Sequence, residues 1–202
     1  MKLATVHPLR EAAGRRRDAE ESDADLMRRI GEGDLSPLGV LYDRHQEGVR
    51  QFVARATSGN ADADDITHET FLALARIAGR YDGRLSARPF LLGIAAQMVR
   101  RRRRGLARLT TALASFAETF RDAPSRTPED AATITEEMRL FDDALGRLTN
   151  EKRLVFLLVE REGLSGDEVA RGLGIPVNTV WTRLHHARSD LRKALLKGSG
   201  GS

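Results

Sequence analysis

The sequence predicts an all-α protein made of two small helical domains joined by an acidic linker. Three observations carry this reading. Apolar residues recur at spacings of three and four through residues 23–104 and 138–197, and no alternating run marks a strand. Between Ser115 and Met138 the chain turns acidic, with six acids against two Arg, and carries Pro124 and Pro128. Such a stretch cannot bury enough apolar area to offset its chain entropy. Near the end, two short helical segments meet at Gly172-Leu173-Gly174-Ile175, and Pro176 opens the second of them. The expected organisation is a mobile arm over 1–21, a first domain over 22–108, the linker over 109–137, a second domain over 138–197 and a flexible tail over 198–202.

Each element follows from local pattern. Leu26 and Ile30 are four apart, and Gly31 and Gly33 end the first helix. Ser36-Pro37 opens the second, where the missing N–H of proline costs nothing. Its apolar side is Leu38, Leu41, Tyr42, Val49, Phe52 and Val53. Asp62 is placed to cap a third helix reaching to about Gly79. A loop over 80–89 follows, and a fourth helix starts near Phe90 and runs into Arg100–Arg104. In the second half, Leu140, Phe141, Leu145 and Leu148 make one apolar set, and Leu154, Val155, Leu158 and Val159 make the next. Ser165 and Glu168 have capping-box spacing.

Composition narrows the function. The 202 residues include 33 Lys+Arg and 29 Asp+Glu, for a net charge of +4, and there is no Cys. Thiolate metal sites, iron–sulfur clusters and cysteine nucleophiles are thereby excluded. Neighbouring His185 and His186 project about 100° apart on a helix, and His45 and His68 stand alone, so no metal site is expected. No catalytic constellation and no phosphate-cradling glycine loop is present, so neither catalytic residues nor a cofactor is expected. No apolar run approaches the roughly 20 residues of a membrane helix, and no secretory signal follows Met1. The basic side is almost all Arg, which suits phosphate recognition but also follows from a GC-rich genome.

Where the charge sits is more telling. In the last helix Val180, Leu184, Ala187 and Leu191 fall within about 60° of one another and form a buried stripe. Asn178, Thr182, His185, His186 and Ser189 take the opposite face, short and rich in donors, as a helix in a major groove requires. Arg183, Arg188 and Arg192 flank it within reach of phosphates. A plain helical hairpin with a solvated face carries the same pattern. Trp181 sits at the edge, placed equally for packing or for a base contact. In the third helix Ile66, Thr70, Ala73 and Ile77 point inward, which leaves Phe71 and Leu72 on an outer face among Asp62, Asp64, Asp65 and Glu69. That face reads either as a docking surface for a basic protein or as a second packing face within the bundle. Residues 80–108 then hold nine Arg and one Asp, with Tyr81 and Phe90 as aromatic platforms, a workable site for unpaired bases beside a phosphate strip.

Two motifs resemble one family. Asp64-Asp65-Ile66-Thr67-His68-Glu69-Thr70-Phe71-Leu72 looks like the core-polymerase-binding motif of bacterial sigma factors. The stretch Ser165–Ala170, through Gly174–Val180 and Arg183–Arg188, looks like their helix-turn-helix for the minus-thirty-five element. With two helical domains only, the chain is similar to the extracytoplasmic-function (ECF) class. The resemblance implies a sigma-two-like domain followed by a sigma-four-like one, and a non-enzymatic cytoplasmic protein whose partners are core RNA polymerase, promoter DNA and an anti-sigma factor. It implies that Asp65, His68, Glu69, Phe71 and Leu72 bind core polymerase. It implies that Arg80, Tyr81, Arg84, Arg88, Phe90, Gln97, Arg100, Arg101, Arg102, Arg103 and Arg104 serve the minus-ten element. Asn178, Thr179, Trp181, Thr182, Arg183, His185, His186 and Arg188 would serve the minus-thirty-five element. The family usually has Gln, Trp and Asn where this chain has His68, Phe90 and Gln97, and often a basic residue where it has Ala96, Trp181 and His186; the departures at the DNA-facing positions imply an unusual promoter sequence. The other readings are a stand-alone helix-turn-helix regulator and a sigma-mimicking partner of an anti-sigma factor.

Overall fold

The computed structural model describes residues 21–57, 59, 62–83, 86–114 and 136–198, and no strand occurs among them. The expected arm up to residue 20, Arg84, the middle of the linker and the tail from residue 199 lie outside the described residues. Four helices form the first half: α1 (Asp23–Gly31), α2 (Leu38–Thr57), α3 (Ala63–Ile77) and α4 (Ala87–Ala114), with a 3-10 turn Ala78–Arg80 after α3. Four more form the second: α5 (Glu136–Arg147), α6 (Asn150–Phe156), α7 (Gly166–Leu173) and α8 (Val177–Gly198). No helix among the described residues is long and apolar enough to cross a membrane.

The first four helices pack their predicted apolar sides together, with Leu38, Tyr42 and Ile77 only half-buried. Leu26, Met27 and Ile30 of α1 meet Leu41, Phe52 and Val53 of α2 and Ile66 and Leu74 of α3 in one core. The Ser22 side chain caps α1 by accepting from the Asp25 amide. Asp23 then ties α1 to α2 through Arg44 at 2.7 Å and His45 at 2.6 Å. Asp62 stands at the N-cap of α3, but its side chain makes no cap bond. It accepts from Arg102 of α4 at 2.6 Å instead. Pairing with a guanidinium, which is itself ionised, turns the carboxylate away from the backbone amides, which corrects the expected role of Asp62. α4 starts at Ala87, ahead of Phe90, and runs ten residues past Arg104 to Ala114, so the first part of the expected linker is helical.

The second half is built on its caps. Ser165 and Glu168 form a complete capping box at the start of α7. Gly174 closes α7 in the left-handed conformation at φ 64°, which a residue bearing a Cβ adopts only with strain. α6 continues into a π turn over Leu157–Arg161. The extra residue in that turn puts Glu160 against Arg188 of α8 and Glu162 against Arg88 of α4. Val180, Leu184, Ala187 and Leu191 are all buried, as their stripe predicts.

Both halves share a single continuous core, and α4 packs on α7. Gly93 and Gly172 make that approach possible. A Cβ added at Gly93 would fall 2.9 Å from the Gly172 Cα, closer than real Cβ atoms come. At the other end of the contact Arg153 of α6 is 1% exposed. It donates to Leu145, Gly146 and Leu148 carbonyls at the end of α5 and to the Ala56 carbonyl at the end of α2. One guanidinium thus caps the negative ends of two helices from different halves. Burial, with Arg103 nearby, lowers its pKa to about 10, so it remains charged at neutral pH.

Candidate polymerase and DNA interfaces

The first candidate face lies on α3 and α4. Phe71 is 3% exposed and belongs to the core, with its ring 4.9 Å edge-on from Tyr42. This corrects the expectation of an outward Phe71–Leu72 pair: α2 packs on that side of α3 and takes Phe71 in. Leu72 remains 61% exposed. With Glu69, Arg76, Met98, Arg101 and Arg102 it lines an open groove between α3 and α4. Asp65 lies at the rim, 3.9 Å from Arg102. His68 sits beside Phe71's partner. Its Nδ1 is 2.8 Å from the Asp64 carbonyl, which can only accept, so Nδ1 carries the proton. In the neutral ring Nε2 then accepts from the Tyr42 hydroxyl at 3.1 Å. Tyr42 is a part of this site that sequence reasoning missed.

The second face follows α4. Tyr81 and Phe90 stack edge to face at 5.4 Å, both half-buried. Burial raises the Tyr81 phenol, with Asp23 and Asp82 adding to the effect. Arg80 is exposed nearby. The run of five Arg does not act as one strip. Arg101 and Arg102 turn to the groove beside Leu72, whereas Arg100 and Arg103 turn to the second half. Arg104 is exposed. Helical geometry forces this split, because successive residues point about 100° apart. Along the stripe of α4 that faces α7, Arg88 pairs with Glu162, Gln97 donates to the Gly172 carbonyl at 2.8 Å and Arg100 donates to the Leu173 carbonyl at 2.9 Å. Glu162, Gly93 and Gly172 carried no sequence signal for this contact, since none belongs to a local periodic pattern.

The third face is on α8. Asn178, Trp181, Thr182, His185, His186 and Arg188 are exposed, and Thr179 and Arg183 are half-buried at its edges. The Thr182 hydroxyl donates back to the Asn178 carbonyl at 2.9 Å. The imidazoles of His185 and His186 lie 5.8 Å apart, tilted by 59°. Trp181 packs through one side of its ring and leaves the rest open. It is 49% exposed, yet its ring covers Gly166, where a Cβ would come within 2.5 Å of the indole. Arg188 is held by Glu160.

Comparison with known proteins shows which family the chain resembles. Residues 41–109 match the family Sigma-70 region 2, and residues 138–191 match Sigma-70, region 4. The RNA polymerase sigma factor CarQ of Myxococcus xanthus is 32% identical over 84% of this chain and 95% of its own length. The ECF RNA polymerase sigma factor SigE of Mycolicibacterium smegmatis is 31% identical over 79% of this chain, which spans 62% of that longer protein. Among solved structures, CnrH in complex with the cytosolic domain of CnrY is similar with a TM-score of 0.60 and 26% identity, over 88% of this chain and 99% of that one. The sigma factor RpoE of Bartonella quintana, solved with the anti-sigma factor NepR, shares the fold with a TM-score of 0.62 at 19% identity, over 77% of this chain and 94% of that one. Since regions 2 and 4 together match more than half of the chain, and sigma factors more than 30% identical, one of them of the ECF class, are matched along most of their own length, the chain belongs to the RNA polymerase sigma factors, in their ECF class.

Proposed function

We propose that this sigma factor grips core polymerase through the α3–α4 groove and promoter DNA through α4 and α8. The observation that carries this reading is the α8 face: a fully buried apolar stripe backs a polar, donor-rich surface that is open to solvent. Thr182, His185 and His186 would read base edges of the minus-thirty-five duplex, and Arg183 would hold a phosphate. Leu72 would insert into the polymerase, ringed by Glu69, Asp65, Arg76 and Arg101. Phe71 and His68 support this face from behind through Tyr42. Tyr81, Phe90, Gln97 and the Arg residues of α4 would take up unstacked bases and phosphates of the minus-ten strand. Unstacking costs a few kcal/mol per base, which these contacts offset without ATP. The chain would work in the cytoplasm, without catalysis of its own. An anti-sigma factor is the partner proposed for the free chain; CnrH, whose fold it shares, is solved with the cytosolic domain of CnrY.

The test is transcription by purified core polymerase on fragments of the source genome, with the 5′ ends of the RNA mapped. The chain should direct initiation at sites that share two elements, and core alone should not. Leu72→Ala should lower initiation in step with lost core binding. No initiation at any site by folded, inhibitor-free chain would end this reading.

A further inference from the structure

Trp181 is the only tryptophan of the chain and stands 49% exposed in the second turn of α8. One edge of its ring is fixed. Its Cζ2, Cε2 and Cη2 atoms lie over Gly166, where a Cβ would come within 2.5, 2.9 and 3.2 Å of them. Gly166 is buried in the first turn of α7, and the capping box locks that turn: the Ser165 amide and hydroxyl both donate to Glu168 at 2.8 Å. The missing side chain at Gly166 therefore makes a seat for the indole, and the seat leaves about half of the residue in solvent. A tryptophan that served packing alone would bury more of its apolar area, since what stays in water forfeits stabilisation. Its neighbours on the helix surface are three and four residues away. They are Val177, Asn178, Leu184 and His185, and none is a Lys or Arg. Arg188, two turns on, is paired with Glu160. An apolar plate with no cation beside it is poorly suited to a phosphate.

Among donors and acceptors, the base edges of a major groove carry one methyl group, that of thymine at C5. An indole in the early turns of a recognition helix is placed to meet it. Because α7 already holds the ring, the contact orders little that was free. We infer that Trp181 reads a thymine methyl in the upstream duplex element, adding an apolar contact to the polar readout by Thr182 and His185, with Gly166 as the positioning residue that seats the ring. This rests on the reading of α8 given above as the minus-thirty-five face. The upstream element accordingly contains a thymine at one fixed position. Its hold on Trp181 depends less on salt than a Lys or Arg at the same place would make it.

The test is competition binding of the chain, reconstituted with core polymerase, to a promoter found by mapping RNA 5′ ends. Each thymine of the upstream element is replaced singly by deoxyuridine, which removes the methyl and nothing else. One such replacement should weaken the parent complex about fourfold, what burying one methyl group is worth. Trp181→Ala should bind the thymine and deoxyuridine versions equally. Trp181→Lys should also ignore the methyl, and should steepen the salt dependence by about one phosphate contact. It serves where the alanine variant folds poorly, as judged by circular dichroism. Gly166→Ala keeps the indole but unseats it. The emission of the single tryptophan should then shift in the free chain, and the response to the methyl should shrink. A full response in Gly166→Ala would overturn the positioning role of Gly166. A parent that responds to deoxyuridine at no position, a response that persists without Trp181, or an upstream element without thymine overturns the inference. A complex that still weakens when the upstream element is scrambled would then leave the α8 reading intact. A complex indifferent to scrambling removes that reading and the inference with it.

Discussion

α4 and α8 are the two helices proposed to read DNA, and they are built differently. α8 packs through one stripe, Val180, Leu184, Ala187 and Leu191, and keeps Asn178, Thr182, His185 and His186 exposed. α4 packs against α2, α3 and α7, and residues 91–96 along it are all buried. Several of its polar residues are consequently already engaged by protein. Arg102 holds Asp62 and borders the Leu72 groove; Arg100 and Gln97 cap α7. A peripheral helix can devote one face to one partner. A central helix has to exchange partners, and its binding is coupled to the position of whatever covers it.

The difference can be broken at its anchors. Phe71→Ala empties a site in the first-half core and should cost about 3–5 kcal/mol in denaturant unfolding. Its neighbour Leu72→Ala should leave stability within about 0.5 kcal/mol and weaken core polymerase binding. Equal effects of the two on stability would mean that α3 is not oriented as described. Arg153→Ala strips donors from four carbonyls at two helix ends and should cost about 2–4 kcal/mol, with Arg153→Lys intermediate. If the denaturation curve also splits into two transitions, Arg153 is what couples the halves. On α8, Thr182→Ala and His185→Ala should each relax discrimination at one position of the upstream element by about 1–3 kcal/mol and leave random-DNA binding unchanged. Uniform loss across sequences would recast them as phosphate contacts.

The smallest effect is acid loosening of α1. Burial raises the Asp23 carboxyl, but bonds from Arg44 and His45 outweigh this and lower it overall. Asp34 is held at about 2 by the Ser36 hydroxyl, Arg29 and the Ser36 amide. Both carboxyls ionise more readily folded than unfolded, so their stabilisation is present above about pH 4 and is lost as pH falls toward their folded values. The melting temperature should decline across that window and less in Asp23→Asn. A flat melting temperature there would contradict the Asp23 anchor.

How far each element could be read from the sequence follows the same division. The stripe of α8, the capping box at Ser165 and Glu168 and the glycine turn at Gly174 are set by residues within a turn of one another, so periodicity and cap chemistry suffice. Phe71 was misplaced because one helix wheel shows only one inward face, and α3 has neighbours on two sides. Asp62 has the residue type of a cap but a remote guanidinium claims it. The Arg100–Arg104 run reads as one basic strip until helical rotation divides it between two contacts. Arg153 had no signal at all: a charged residue amid Leu154 and Val155 looks solvated until two helix C-termini converge on it.

The most direct measurement is the distance between the two halves before and after core polymerase is added. The chain has no Cys, so dyes can be placed at Asp43→Cys on α2 and Lys193→Cys on α8, both exposed. One short distance is expected for the free chain, giving way to a distinctly longer one when core polymerase binds. A distance that stays the same through core binding and initiation would contradict a strand-binding face that α7 must vacate.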